Sequence, residues 1–372
     1  MTEQLSTNRR HIATLDLLRL LAALAVVLFH YLFRGAAAEP YLDAGYPEAA
    51  SFAIYGYLGV NLFFLISGFV IAWSAEGSHW AGFAAARFTR LYPGFLICMT
   101  GTFVVLSLAA PPLLPVSLAQ YGANLVMLAP GLGQPFMDGV YWSIVLEVIF
   151  YGWVAVALLL GVFQRAKLLL VFGWLLVSAL NELVIGSGAL RLVFVTEFAP
   201  FFAAGILVHH IHARGAAAGA LLLAAAAFGL SCYTLTVGQA WMQAHYGTAV
   251  PMTHLLLANT AIHAMLILAV RHAGLVKPSA FLFAVGGLTY PLYLLHQNIG
   301  YVAINQLAPD IGRWPAGLAV VLAMLVLSWA VWRFAEKPCQ RVLRRLLDRM
   351  TGDLVRPGRL PGTSGATAKQ TG

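Results

Sequence analysis

Leu15-Asp16-Leu17-Leu18-Arg19-Leu20-Leu21-Ala22-Ala23-Leu24-Ala25-Val26-Val27-Leu28-Phe29-His30 sets three ionisable side chains into an otherwise apolar stretch. At about 100° per residue, the path from Arg19 to His30 comes to three turns plus about 20°, so a helix projects both from one face. At 1.5 Å rise per residue they stand roughly 16 Å apart along the axis, about half the thickness of a bilayer core. Asp16 falls in the same sector, about 60° from Arg19 and about 40° from His30. Ionisable groups in a membrane helix are costly and face a bundle interior or a polar cavity, which makes this stretch a candidate site as well as a span. The competing reading has Arg19 snorkelling to headgroups and His30 capping the far end of the helix.

Composition agrees with a membrane protein. Of 372 residues, 60% are apolar and only 10% are charged, whereas soluble domains carry about a quarter charged residues. The polar/apolar alternation of an outer-membrane barrel is missing, so the expected class is an all-α, multi-span membrane protein. Much of the net charge of +8 lies in a C-terminal tail and in short loops. There it sets membrane orientation, and no nucleic-acid partner is expected. Cys98, Cys232 and Cys339 have neither paired nor metal-ligand spacing. His209-His210-Ile211-His212 reads as the polar end of a span, because adjacent helical residues diverge by about 100°; no metal is expected. Arg9-Arg10, an apolar run and Gly35-Ala36-Ala37-Ala38-Glu39 together resemble a cleavable signal. Asp16 and Arg19 suit such a segment poorly, so the first span is read as retained.

Apolar runs of about 20 residues give ten spans, near 14–33, 56–74, 91–110, 140–160, 167–185, 191–211, 215–237, 252–270, 280–303 and 314–335. The Ala-rich piece 219–230 is the weakest by hydrophobicity. With the N-terminus inside, one set of connections carries Arg9, Arg10, Arg87, Arg90, Arg165, Lys167, Arg214, Arg271, Lys277 and the basic C-terminus. The opposite set carries only Arg34, Arg191 and Arg313, and is more acidic, with Glu39, Asp43, Glu48, Asp138 and Asp310. That asymmetry predicts two cytoplasmic termini. The expected organisation is a cytoplasmic segment 1–13, a membrane domain 14–340, and a tail 341–372. The tail is first basic and amphipathic, lying on the anionic inner leaflet, and then disordered from about Thr351. The Pro/Gly-rich connection 111–139 is a candidate re-entrant or interfacial piece.

Four further clusters stand out. In Gly59-Val60-Asn61-Leu62-Phe63-Phe64-Leu65-Ile66-Ser67-Gly68-Phe69 the glycines read as a packing face. Arg87 and Arg90, at i and i+3, share a helix face and suit phosphate, or else mark topology. Ser143, Glu147 and Tyr151 form one polar stripe, and the buried Glu147 carboxylate calls for a partner such as Arg19 or His30. In Thr289-Tyr290-Pro291-Leu292-Tyr293-Leu294-Leu295-His296, Pro291 interrupts the helix and His296 is either a second functional histidine or a satisfied polar residue.

Together and in this order, these pieces resemble the acyltransferase-3 family of bacterial integral-membrane O-acyltransferases. The match runs from Leu15-Asp16-Leu17-Leu18-Arg19 and His30 through Phe64-Leu65-Ile66-Ser67-Gly68-Phe69 and Arg87-Phe88-Thr89-Arg90. It continues through Trp142 to Tyr151 and Tyr290 to His296, and closes on Glu336-Lys337-Pro338. The resemblance implies ten spans in the bacterial inner membrane and transfer of an acyl group, by family default acetyl from acetyl-CoA, to a hydroxyl of an envelope or exported carbohydrate or glycolipid. It leaves the acceptor, the acyl length and the oligomeric state open. On this reading His30 is the general base, or the site of an acyl-histidine, with Glu147 orienting its imidazole and Ser143 beside it. Arg19, Arg87 and Arg90 hold the acyl-CoA, which is a donor substrate and not a resident cofactor. Asp16, Tyr151, Tyr290, Tyr293, His296 and Glu336 complete the candidate site. A polysaccharide or lipid-linked glycan exporter is the alternative, since it too needs charges on inward helix faces.

Overall fold

The computed structural model describes residues 12–351. Arg9, Arg10 and the tail beyond Thr351 lie outside the described residues. Among those described, the chain is helical throughout, without strands. Eleven long helices are numbered here: α1 Ala13–Leu32, α2 Leu58–Ala75, α3 Trp80–Ala109, α4 Tyr141–Leu159, α5 Lys167–Leu180, α6 Ala199–Arg214, α7 Ala218–Tyr246, α8 Met252–Arg271, α9 Ala280–Ile311, α10 Arg313–Ala330 and α11 Lys337–Thr351.

Among the described residues, eight stretches are long and apolar enough to cross a bilayer. They correspond to expected spans one to five, seven, eight and ten, and the Ala-rich seventh passes as part of the 29-residue α7. The expected sixth and ninth fall short, for different reasons. Residues 191–211 are not one helix: a short helix Gly188–Val193 ends, Val195 turns the chain through a left-handed conformation (φ 54°), and α6 has only 16 residues. The 32-residue α9 is long enough but carries Thr289, His296, Gln297 and Asn298 along its middle. Both helices are enclosed. Residues Ala199 to Leu207 of α6 and Pro291 to Val302 of α9 are buried without a gap. A helix surrounded by protein can hold polar side chains that lipid would exclude.

Small residues let the central helices approach closely, as the packing reading of Gly59 and Gly68 expects. A Cβ on Gly68 would lie 2.1 Å from the Phe202 carbonyl oxygen, and one on Gly205 would lie 2.1 Å from that of Leu65. These two contacts set α2 against α6. The helices run up and down. Thr14 at the start of α1 donates to Ala269 at the end of α8, and the Tyr31 hydroxyl at the other end of α1 reaches the His296 carbonyl. Arg87, Arg90, Lys167 and Arg271 therefore gather at one end of the bundle, called here the basic end. At the other end each arginine has an acidic partner: Arg34 with Glu39, Arg191 with Glu182, and Arg313 with Glu48.

The connection 111–139 folds compactly. Asn124, fully buried, donates to the Gln120 and Pro135 carbonyls and accepts from the Met137 amide. Asp138 is not the loop acid that its position suggests. It is fully buried, accepting from the amides of Val140 and of Asn298 in α9, and so pins the start of α4 to the middle of α9.

Candidate active site

Two histidines meet in the buried middle of the bundle, 266 residues apart in sequence. His30 on α1 and His296 on α9 place Nδ1 and Nε2 at 3.0 Å, with ring centroids 4.9 Å apart. The surrounding carbonyls decide who donates. His296 Nδ1 faces the carbonyl oxygens of Leu292 at 3.0 Å and Tyr293 at 2.9 Å, so it must carry a hydrogen. In a neutral ring its Nε2 is then the acceptor. His30 Nδ1 faces that acceptor and also the Val26 carbonyl at 2.9 Å, so it too carries its hydrogen. By exclusion the lone pair of neutral His30 is at Nε2. An imidazole held in this tautomer is a base with a fixed direction.

His30 opens into a cavity of about 570 Å³ on the side away from the basic end. Aromatic side chains dominate its lining, including Tyr41, Tyr57, Trp142, Trp241 and Tyr246. Asn61 and Gln297 supply amides, and Arg34 and Glu197 supply charge.

A second cavity, of about 540 Å³, opens on the basic side and is lined by Arg19, Arg87, Arg90, Glu147 and Tyr151. Each arginine is held differently. Arg19 donates to Asp16 at 2.8 Å, as their i, i+3 spacing expects. Arg90 pairs at 2.5 Å with the fully buried Glu336 and lies 5.8 Å from the Tyr290 ring centre. Glu336 also accepts from Gln340 at 2.7 Å, and the Tyr290 hydroxyl donates to the Leu91 carbonyl. Arg87 belongs to no ion pair among the described residues, and stacks its guanidinium 5.7 Å from the Phe83 ring centre. It has a full positive charge to offer a ligand.

Tyr293 and Val60 line both cavities and separate them. The Ser143 and Tyr293 hydroxyls share a hydrogen bond at 2.6 Å and both reach the Val140 carbonyl, at 3.1 and 3.3 Å, and Phe63 packs edge-on against the Tyr293 ring. Ser143 therefore braces the dividing wall.

One expected partnership is corrected. Glu147 does not orient His30. Its carboxylate accepts from Ser67 Oγ at 2.9 Å and from the Tyr151 hydroxyl, and it faces the arginine cavity. One turn along α4 carries Glu147 about 6 Å beyond Ser143, past the wall and onto the arginine side. The place beside His30 belongs to His296, and Arg19 takes Asp16 as its carboxylate. The His30–His296 pair, the tie that Asp138 makes between α4 and α9, and the contribution of α11 to the arginine cavity escape sequence reasoning.

The sequence model of a family described as an acyltransferase domain matches residues 12–333. A 103-residue segment is 32% identical to a protein named acyltransferase MdmB from Streptomyces mycarofaciens, covering 26% of this chain and 27% of that one. The chain thus spans about a quarter of the length of the curated relative it matches. No solved structure matches.

Proposed function

The chain belongs to the family of the acyltransferase domain, and from that premise we propose that it moves an acyl group, by default acetyl from acetyl-CoA, onto a hydroxyl of an envelope or exported carbohydrate or glycolipid. The observation that carries this reading is the pair of cavities divided at Tyr293, with arginines on one side and a directed imidazole on the other. Polyanionic CoA suits the first, where Arg87 lacks an acidic partner. An uncharged sugar suits the second, whose aromatic walls offer stacking faces and whose amides offer hydrogen bonds.

In the proposed reaction the acceptor hydroxyl gives its proton to His30 Nε2 as its oxygen attacks the thioester carbonyl. The C–O bond forms, the C–S bond breaks, and the imidazolium returns the proton to the departing thiolate. His296 accepts from His30 Nδ1 throughout and so stabilises the cation that forms. The donor's pantetheine arm has to cross the Tyr293–Ser143 wall, and the roughly 16 Å from Arg19 to His30 along α1 suits an extended arm. An acyl-histidine intermediate uses the same lone pair.

The basic end is cytoplasmic in this proposal, α6 and α9 complete ten spans, and the membrane is the bacterial inner membrane. The asymmetry of basic residues supports that orientation. Ester-linked acyl groups in envelope glycans, measured with and without the gene, test the function directly. Their loss with the gene is the expected result. Unchanged esters together with no CoA binding by the purified protein would favour the exporter.

A further inference from the structure

One wall of the arginine cavity comes from α11, which lies beyond the residues matched by the acyltransferase model. Gln340 anchors the helix there, its amide donating to Glu336 at 2.7 Å and to the Arg90 carbonyl at 3.1 Å. From that anchor, Arg341 and Arg344 line the cavity alongside Arg87 and Arg90. Neither forms an ion pair among the described residues, and both are exposed, which puts them at the mouth. The helix divides its basic residues. At about 100° per residue, Arg344 lies about 40° and Arg341 about 100° from Gln340, whereas Arg345 and Arg349 lie about 140° and 180° away. Val342 and Leu346, on the far side, are exposed apolar residues that suit the membrane interface. The basic stretch is thus only partly available to lipid, because two of its arginines face the cavity.

The chemistry of the donor matches this division. Along a CoA thioester the order is acyl group, pantetheine, diphosphate, then a ribose bearing a separate 3′-phosphate monoester. If the thioester reaches toward Tyr293, the diphosphate falls beside the inner arginines and the monoester falls at the mouth. We propose that Arg341 and Arg344 form a subsite for this 3′-phosphate, with α11 closing the donor site from outside the family's core. The proposal rests on the acyl-CoA reading above. A guanidinium fork can take two phosphate oxygens at once, which makes paired arginines well suited to a dianionic monoester.

The test is competition binding of CoA against 3′-dephospho-CoA, using the full chain in phosphatidylcholine nanodiscs with and without phosphatidylglycerol. Wild type is expected to prefer CoA by about tenfold or more, the equivalent of one charge-assisted hydrogen bond. In the Arg341→Gln/Arg344→Gln double variant the ratio should fall to about one, with an unchanged melting temperature. Equal binding of the two nucleotides by wild type, or a ratio undiminished in the variant, overturns the subsite alone. Binding of neither nucleotide by wild type removes the donor reading as well. A variant that keeps its discrimination and alters only its response to phosphatidylglycerol would assign the arginines to lipid headgroups and refute the proposal.

Discussion

Replacing His296 with leucine removes one of the two acceptors for His30 Nδ1, leaving the Val26 carbonyl at 2.9 Å, while keeping a side chain of similar bulk. The backbone should tolerate it, since the Leu292 and Tyr293 carbonyls that His296 faces belong to helical turns. With a neutral His30, the bond at 3.0 Å is one buried hydrogen bond, worth about 1 kcal/mol net. When His30 takes the acceptor's proton the same bond becomes charge-assisted, worth about 1.5–3 kcal/mol. Losing it from the transition state corresponds to at most roughly 10- to 100-fold in kcat, toward the lower end where the Val26 carbonyl takes over the hydrogen. The KM for acyl-CoA should hold, because the arginine cavity is untouched. His296→Gln should recover most of the activity, as its amide oxygen can accept from Nδ1–H. Acyl-transfer kinetics on purified protein, with a thermal melt of each variant, provide the measurement. Equal activity of the leucine and glutamine variants would refute the positioning role, as would a loss that merely tracks the folded fraction.

Four other changes probe the neighbouring elements. Arg87→Gln should weaken acyl-CoA binding about tenfold without loss of stability, as Arg87 has no ion-pair partner to abandon; Arg90→Gln should instead cost about 3 kcal/mol in a detergent melt by leaving buried Glu336 without its cation. Glu147→Gln keeps an oxygen for Ser67 and Tyr151, so the melt should hold while transfer falls with the charge lost from the arginine cavity; a parallel loss of folding would make Glu147 structural. Gly68→Leu should prevent α2 from seating on α6, read as loss of the folded protein in size-exclusion chromatography, because even a Cβ would lie 2.1 Å from a carbonyl oxygen.

What could be read from the sequence was mostly local. Spacing put Arg19 with Asp16 and aligned Glu147 with Tyr151, since i, i+3 and i, i+4 neighbours meet on one helix whatever the surroundings. Spacing also brought Arg87 and Arg90 to one cavity. Depth across helices was not readable in the same way. Nothing local to α1 says that His296 of α9 arrives at the level of His30, or that the wall at Tyr293 falls between Ser143 and Glu147. Hydropathy did not set the enclosed α6 and α9 apart from the other expected spans, because it counts residues without knowing which face lipid. The basic stretch at 341 gave a membrane-surface pattern, and the Gln340 anchor sets Arg341 and Arg344 at the mouth of the arginine cavity. Asp138 looked like an outer-loop acid because its partner, the Asn298 amide, is 160 residues away.

The central claim is that His30 supplies the base for acyl transfer and takes no part in holding the donor. The most direct measurement is His30→Ala in purified, folded protein, with acyl-CoA affinity and acceptor-dependent release of free CoA recorded on the same sample. Unchanged affinity and no acceptor-dependent release are expected, because the arginine cavity remains intact while the only lone pair directed into the other cavity by the His30–His296 pair is gone. Acceptor-dependent release at the wild-type rate would contradict it.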